Sequence, residues 1–228
     1  MAETLPLFPL GTVLLPGASL PLHVFEPRYR QLTVDLVTGR VPGKRFGVVA
    51  VRDGWTPDDD GIEGLHEIGC SAGLREVRRL PDGRFDIVTL GEARFRLLDV
   101  DTAAAPYLVG RVEWVPDRSG VEAQQVRLLA LAALEAHRRY RAMAWKTAVD
   151  REDGEEPEQQ VTPEVLAHVL ASDCLLSLAD RQELLEQTCP VERLKLIRRF
   201  LVRETGLLGE LRAVWMPIAK FAVDHSPN

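Results

Sequence analysis

Cysteine is scarce in this 228-residue chain: three residues, Cys70, Cys174 and Cys189, far apart and with no CxxC pair. An odd count at that spacing excludes a disulfide framework and a cysteine-rich zinc site, and it predicts reduced thiols in the cytoplasm. Long apolar runs are missing too. The longest, residues 128–134, falls far short of the roughly 20 residues of a membrane span. The opening MAETLPLFPLG has neither a basic region nor a continuous apolar stretch, so no export signal is expected. Aromatics are few, at 6%. Charge of one sign does not accumulate in either half: residues 1–120 and 121–228 each carry 14 basic and 17 acidic side chains. That balance supplies no bulk cationic face for a phosphate backbone. Lysine is rare, 4 against 24 arginines, which reads as codon bias.

The usual catalytic signatures are also missing. Residues 64–71, GLHEIGCS, approach the phosphate-binding loop pattern, but Cys70 stands where the lysine must be. His66-Glu67 has no second His at the zincin spacing, and no GxSxG elbow occurs. His23, His66, His137, His168 and His225 are scattered. His23 reads as a satisfied structural histidine and Cys70 as a small core residue. Neither a cofactor nor a metal is expected.

What is present divides near residue 118. The first part is β-rich, punctuated by Gly and Pro. LPLFPL (5–10) suggests an edge strand because it contains prolines. Val13 to Leu15, Pro16-Gly17 and Leu20 to Leu22 read as strand, turn and strand. Pro27 fits the first turn of a helix over 27–38, with Tyr29, Leu32, Leu36 and Val37 inward and Gly39 as the stop. FGVVAV (46–51) reads as a strand buried on both faces. WTPDDDGIEG (55–64) is an acidic loop. Residues 66–80 and 84–100 form a hairpin across Pro81-Asp82-Gly83. YLVGRVEWV (107–115) is a further strand. Six or seven short strands with one helix predict a closed or nearly closed barrel.

The second part is helical. Val126, Leu129, Ala133, Ala136 and Tyr140 stripe a helix over 121–147. Residues 150–160, DREDGEEPEQQ, form a solvated loop. Thr162-Pro163, Ser177 with Asp180, and Pro190 with Glu192 open three more helices. The last is predicted to end at Gly206, leaving residues 207–228 as a short helix and tail. The organisation expected is thus a barrel subdomain (1–118), a helical subdomain (119–206) and a tail (207–228).

Arg75, Arg78, Arg79, Arg84, Arg94 and Arg96 are expected on the outer face of the hairpin, interleaved with Glu76, Asp82, Asp86 and Glu92 as cross-strand ion pairs. An anion or nucleic-acid surface is the competing reading, and no aromatic is interleaved there to stack bases. Trp55, in the acidic loop, is either a peptide anchor or a residue folded back on the barrel.

These residues also carry a family resemblance. LPLFPLGTVLLPGASLPLHVFEPRYRQL resembles the start of the Lon protease N-terminal domain, the module also found in cereblon. FGVVAV resembles its next strand. GLHEIGCSAGLREVRRLPDGRFDIVTLGEARFRLLDV is similar to the stretch E-x-G-x-x-A-x-I … L-P-D-G … G-x-x-R-x-R. PYLVGRVEWVPD resembles the closing strand, and LLSLADRQELLEQTCPVERLKLIRRFL the short terminal helices. The similarity covers about residues 4–205. It implies an α+β fold, a PUA-like pseudo-barrel followed by a helical bundle, and a role in substrate recognition. The ATPase phosphate-binding loop and the Ser–Lys protease dyad of a full Lon protease do not occur, so neither activity is expected.

The expected function is therefore a non-catalytic protein- or peptide-binding module, whose partners are unfolded or degron-bearing proteins and the proteolysis machinery. A PUA-like RNA binder and a small-molecule binder are the alternatives. A groove at the junction of barrel and helices would suit a peptide. Phe25, Glu26, Arg28 and Tyr29, where the chain leaves the barrel for its first helix, are the candidate contacts, together with Trp55. For Glu26 and Arg28 a second reading stands, a bracket that fixes the strand-to-helix turn.

Overall fold

The computed structural model describes residues 2–52, 62–144 and 162–211. Its elements run β1 (Glu3–Leu10), β2 (Ser19–Val24), α1 (Pro27–Thr38), β3 (Arg45–Ala50), β4 (Ile68–Arg79), β5 (Phe85–Asp101), β6 (Val109–Trp114), α2 (Ala123–Ala144), α3 (Pro163–Ser172), α4 (Leu178–Glu186) and α5 (Pro190–Leu211). The α+β class expected from the sequence is the one that forms. Trp55, the acidic stretch 150–160 and most of the tail lie outside the described residues.

Five strands close a ring, β5-β4-β3-β1-β6 and back to β5. The length of β5 permits closure. Along one edge its residues 85–90 pair with β2 and residues 95–101 pair with β6, while β4 runs along the other. The prolines of β1 do not mark an edge, contrary to expectation. Residues 3–6 pair antiparallel with β6, and residues 7–10 pair parallel with β3. Leu7 N–H donates to Leu108 C=O at 2.8 Å on the β6 side, so in that phase the Pro6 nitrogen faces away from β6 and costs that ladder no bond.

The open edge belongs to β2, and Pro21 sits on it. Gly91 N–H donates to Ala18 C=O at 2.9 Å, and Ser19 faces Leu90 in the antiparallel register. In that phase Leu20, Leu22 and Val24 turn their backbone groups to β5, whereas Ser19, Pro21 and His23 turn theirs outward. Pro21 therefore costs the sheet no bond and removes a donor from its exposed edge, which discourages strand addition.

Alternation along the strands builds two cores. The small one fills the barrel with Leu5, Leu7, Val49, Leu65, Phe95, Leu97 and Val112. Phe95 needs glycines around it: a Cβ on Gly47 or Gly69 would stand 2.7 or 2.5 Å from its ring. The large core runs from Phe8, Phe46 and Val48 under α1 through Cys70 to Ala133, Leu170 and Ile197 of the helices. β3 serves both cores, as its unbroken apolar run predicts.

Three local expectations are corrected. Val13 to Leu15 form no strand; they are a buried connection whose side chains join the large core. Val37 is exposed, because α1 fills its inner face with Tyr29, Leu32, Thr33 and Leu36 while Asp35 accepts a bond from the Tyr107 hydroxyl at 3.0 Å. α5 continues through Gly206 to Leu211. Gly206 is not among the left-handed glycines that end helices, unlike Gly39 with φ 81° after α1.

Candidate functional site

The segment that leaves β2 for α1 carries four of the sequence-derived candidates. Pro27 occupies the first turn of α1, and Glu26 is the cap residue. The Glu26 side chain makes no capping bond; its Oε2 instead accepts from Arg28 Nε at 3.0 Å and Nη2 at 2.9 Å. The Arg28 guanidinium then lies 4.7 Å above the Tyr29 ring, whose other contact is a 3.8 Å stack on Phe8 of β1. Tyr29 is buried, and that burial pushes its hydroxyl up to about 12. Glu26, Arg28 and Tyr29 thus form one bracket that pins the start of α1 to the barrel. Phe25 is different. It is 59% exposed, its ring 6.3 Å from the His23 imidazole.

His23 is satisfied. Nδ1 lies 2.7 Å from Asp86 Oδ1, and Nε2 lies 3.2 Å from Arg84 Nη1. Arginine can only donate, so Nε2 accepts and Nδ1 carries the proton. The hairpin arginines mostly pair as expected: Arg75 with Glu92 at 3.2 Å, Arg78 with Asp86, Arg84 with Asp82 at 2.6 Å and Arg96 with Glu67 at 3.1 Å.

Arg94 also points to the outer face of the barrel, but there it is covered and not solvated. It is 5% exposed and reaches across to the helices. Its Nη1 donates to Leu185 C=O at 3.1 Å and Gln187 C=O at 2.9 Å, and its Nη2 donates to Asp117. Arg193 of α5, 1% exposed, grips the same carboxylate. Burial raises the Asp117 carboxyl, but hydrogen bonds and charge from Arg193, then Arg94, outweigh it and hold the group below the usual range. His168 is packed nearby; burial, then the charge of Arg193, pushes it down to about 3, so the ring is neutral. Gln182 of α4 donates to Ile68 C=O of β4 at 3.0 Å. This stretch of the junction between barrel and helices is filled by side chains. No sequence motif announced it, since its members lie in β5, the 115–118 connection and α5.

Nucleophile chemistry finds little support. Burial pushes the Cys70 thiol up to about 12 and raises Cys174 as well. A recess of about 510 Å³ opens beside β5, lined in part by Arg52, Leu65, Glu67 and Arg96. Its charges are partly spent, Arg96 on Glu67 and Arg52 on Leu65 C=O at 2.9 Å. Among the described residues no group of three His, Cys, Asp or Glu side chains could hold a metal, and no helix is long and apolar enough to cross a membrane.

Residues 4–203 match the family of the ATP-dependent protease La (LON) substrate-binding domain. The chain belongs to that family. It is 29% identical over 206 residues to a Lon protease of Anaeromyxobacter dehalogenans, covering 90% of this chain and 24% of that one. It is 27% identical over 201 residues to Lon protease 1 of Thermus thermophilus, covering 88% and 24%. The chain thus spans about a quarter of the length of the curated relatives it matches. A Lon N-terminal domain protein from Xanthomonas campestris shares the fold with TM-score 0.58 and 26% identity, covering 94% of this chain and 99% of that one. The N-terminal domain of a Mycobacterium avium complex Lon protease shares it at TM-score 0.63 and 19% identity, over 90% and 98%. Among this family's members, then, the chain aligns with the substrate-binding domain and leaves the rest of a Lon protease unmatched.

Proposed function

We propose that this chain is a non-catalytic, cytoplasmic protein-binding module that captures unfolded or degron-bearing segments for proteolysis. The observation that carries the reading is the match of residues 4–203 to a substrate-binding domain family. It is supported by an exposed Phe25 on a bracket that holds the backbone still around it. A rigidly mounted aromatic can enter an apolar client at little entropic cost. The absence of a lysine from residues 64–71, and of a Ser–Lys dyad pattern, supports binding without ATP hydrolysis or peptide cleavage.

The test uses the full chain with chemically denatured, refolding client proteins. Suppression of client aggregation at stoichiometric ratios, together with photo-crosslinks from a probe placed at position 25, is the expected result. Unchanged aggregation and no crosslink to any client would overturn the reading. So would ATP turnover or casein cleavage by purified material that persists after contaminants are removed.

A further inference from the structure

Charge is balanced between the two halves of the sequence but not around α1. Between Phe25 and Arg45 stand Arg28, Arg30, Arg40, Lys44 and Arg45 against Glu26 and Asp35, a net +3 within a chain of −6. The remainder is therefore −9. Pairing sharpens the contrast. Glu26 is taken by Arg28. Asp35 is buried and accepts from Tyr107 and Gln31, with Arg40 only at 3.7 Å. Arg30, Lys44 and Arg45 are left with no carboxylate within ion-pairing distance among the described residues, as are Arg79 and Arg198, whereas Arg75, Arg78 and Arg84 on the hairpin and Arg199 and Arg203 on α5 have theirs.

The same face is apolar. Arg30, Val34 and Val37 follow one another at i, i+4 and i+7, which places them on one stripe of the helix. Val34 is 39% exposed and Val37 51%, and Phe25 precedes the stripe. Phe25 is the one aromatic among the exposed large apolar side chains described. The Arg30 guanidinium lies over Gly83: a Cβ there would be 2.6 Å from Nη2. The hairpin turn, the end of β2 and the first turns of α1 therefore share one apolar ledge that carries Arg30, and the turn at 42–44, which brings in Lys44 and Arg45, packs near the same helix.

We propose that this ledge docks an acidic protein segment bearing an apolar anchor, a specification that rests on the protein-binding reading above. Phe25, Val34 and Val37 take the anchor. Arg30, Lys44 and Arg45 steer and register the flanking carboxylates. A nucleic acid suits the ledge less. Three unpaired cations beside exposed valines offer few phosphate contacts, and the surrounding −9 repels a polyanion.

The test is fluorescence anisotropy of the full chain with a labelled twelve-residue peptide that carries two aromatic residues flanked by four Asp or Glu. A second peptide replaces the acids with lysines, and a single-stranded RNA twelve-mer is the third probe. The acidic peptide is expected to bind at least about tenfold tighter than either, and to weaken as salt rises. Arg30→Glu with Lys44→Glu and Arg45→Glu should cost about tenfold and flatten the salt dependence. Phe25→Ala and Val37→Ser, both at exposed sites, should each weaken binding with an unchanged melting temperature. Equal binding of the acidic and basic peptides, tighter binding of RNA, or indifference to all three variants would overturn the proposal. If denatured clients are still captured in those cases, the general reading survives. If none is captured, both fall.

Discussion

Arg193 holds Asp117 with both arms: Nη1 stands 2.8 Å from Oδ1 and Nη2 2.6 Å from Oδ2, across 76 residues of chain. Arg94 reaches the same carboxylate from the barrel side. Two buried guanidiniums therefore share one anion, and the carbonyls of Leu185, Gln187 and Glu164 accept further bonds from their Nη groups, while Arg193 Nε is buried without a partner. A planar fork that can serve several acceptors at once is what arginine offers here and lysine does not.

Removing the shared anion leaves two uncompensated charges. Asp117→Asn is expected to lose about 3 kcal/mol of stability, with urea unfolding as the measurement. Replacing Asp117, Arg94 and Arg193 together by apolar side chains of similar size should lose less than Asp117→Asn does, because no buried charge is left behind.

The pH dependence follows from His168 and Asp117, whose ordinary values are both depressed on folding. An unfolded His168 takes up its proton near pH 6.5, but the folded one stays neutral down to about 3. Between those limits the unfolded state binds the extra proton, so stability falls as pH falls, approaching about 1.4 kcal/mol per pH unit. Asp117 adds its own loss only below about pH 4, where the unfolded carboxyl protonates first. Thermal melts from pH 7 to 4 should show this limb, and His168→Gln should flatten it above pH 4.

Phe95 and the glycines around it form one packing unit. Gly69→Ala would place a methyl 2.5 Å from the Phe95 ring and 2.6 Å from the Val48 carbonyl oxygen. A loss of about 2 kcal/mol or more is expected by denaturant titration. Phe95→Leu in the same chain should relieve only part of it, since the carbonyl cannot retreat.

Thiol accessibility separates the three cysteines. Cys70 and Cys174 are buried with raised values; Cys189 is half-buried. A thiol reagent at pH 8 should modify one cysteine quickly in native protein and all three in denaturant. Rapid native labelling of Cys70 would contradict the barrel packing described.

Local signals carried far along this chain. Pro27 and Gly39 bound α1 where expected. Pro81-Asp82-Gly83 turns the hairpin with Gly83 at φ 81°. Ser177 and Asp180 form the reciprocal cap of α4, Ser177 Oγ accepting from Asp180 N–H at 3.1 Å. Each of these depends on residues within a few positions of one another, so periodicity and cap chemistry suffice. Arg94 failed for the complementary reason. Its alternation with Phe95 placed it correctly on the outer face of the barrel, but whether that face meets water or another element is not written locally. α4 and α5, some ninety residues later, cover it.

Of the candidate site, the bracket Glu26–Arg28 and the candidate Phe25 were legible as a local strand-to-helix segment, whereas the exposure of Phe25 was not; the net charge of residues 25–45 was present in the composition all along. That charge became informative only when folding consumed Glu26 and Asp35 and left Arg30, Lys44 and Arg45 unpaired.

By itself the sequence determined the alternation of strands, the helix limits and the family of the chain, because those rest on short-range sterics, hydrogen-bonding propensity and apolar period. The tertiary structure alone decided that β1 is interior, that Arg94 is buried and which cations stay free. Those outcomes depend on which distant surface arrives to cover a face, and burial changes the worth of a charge more than any neighbour in sequence does.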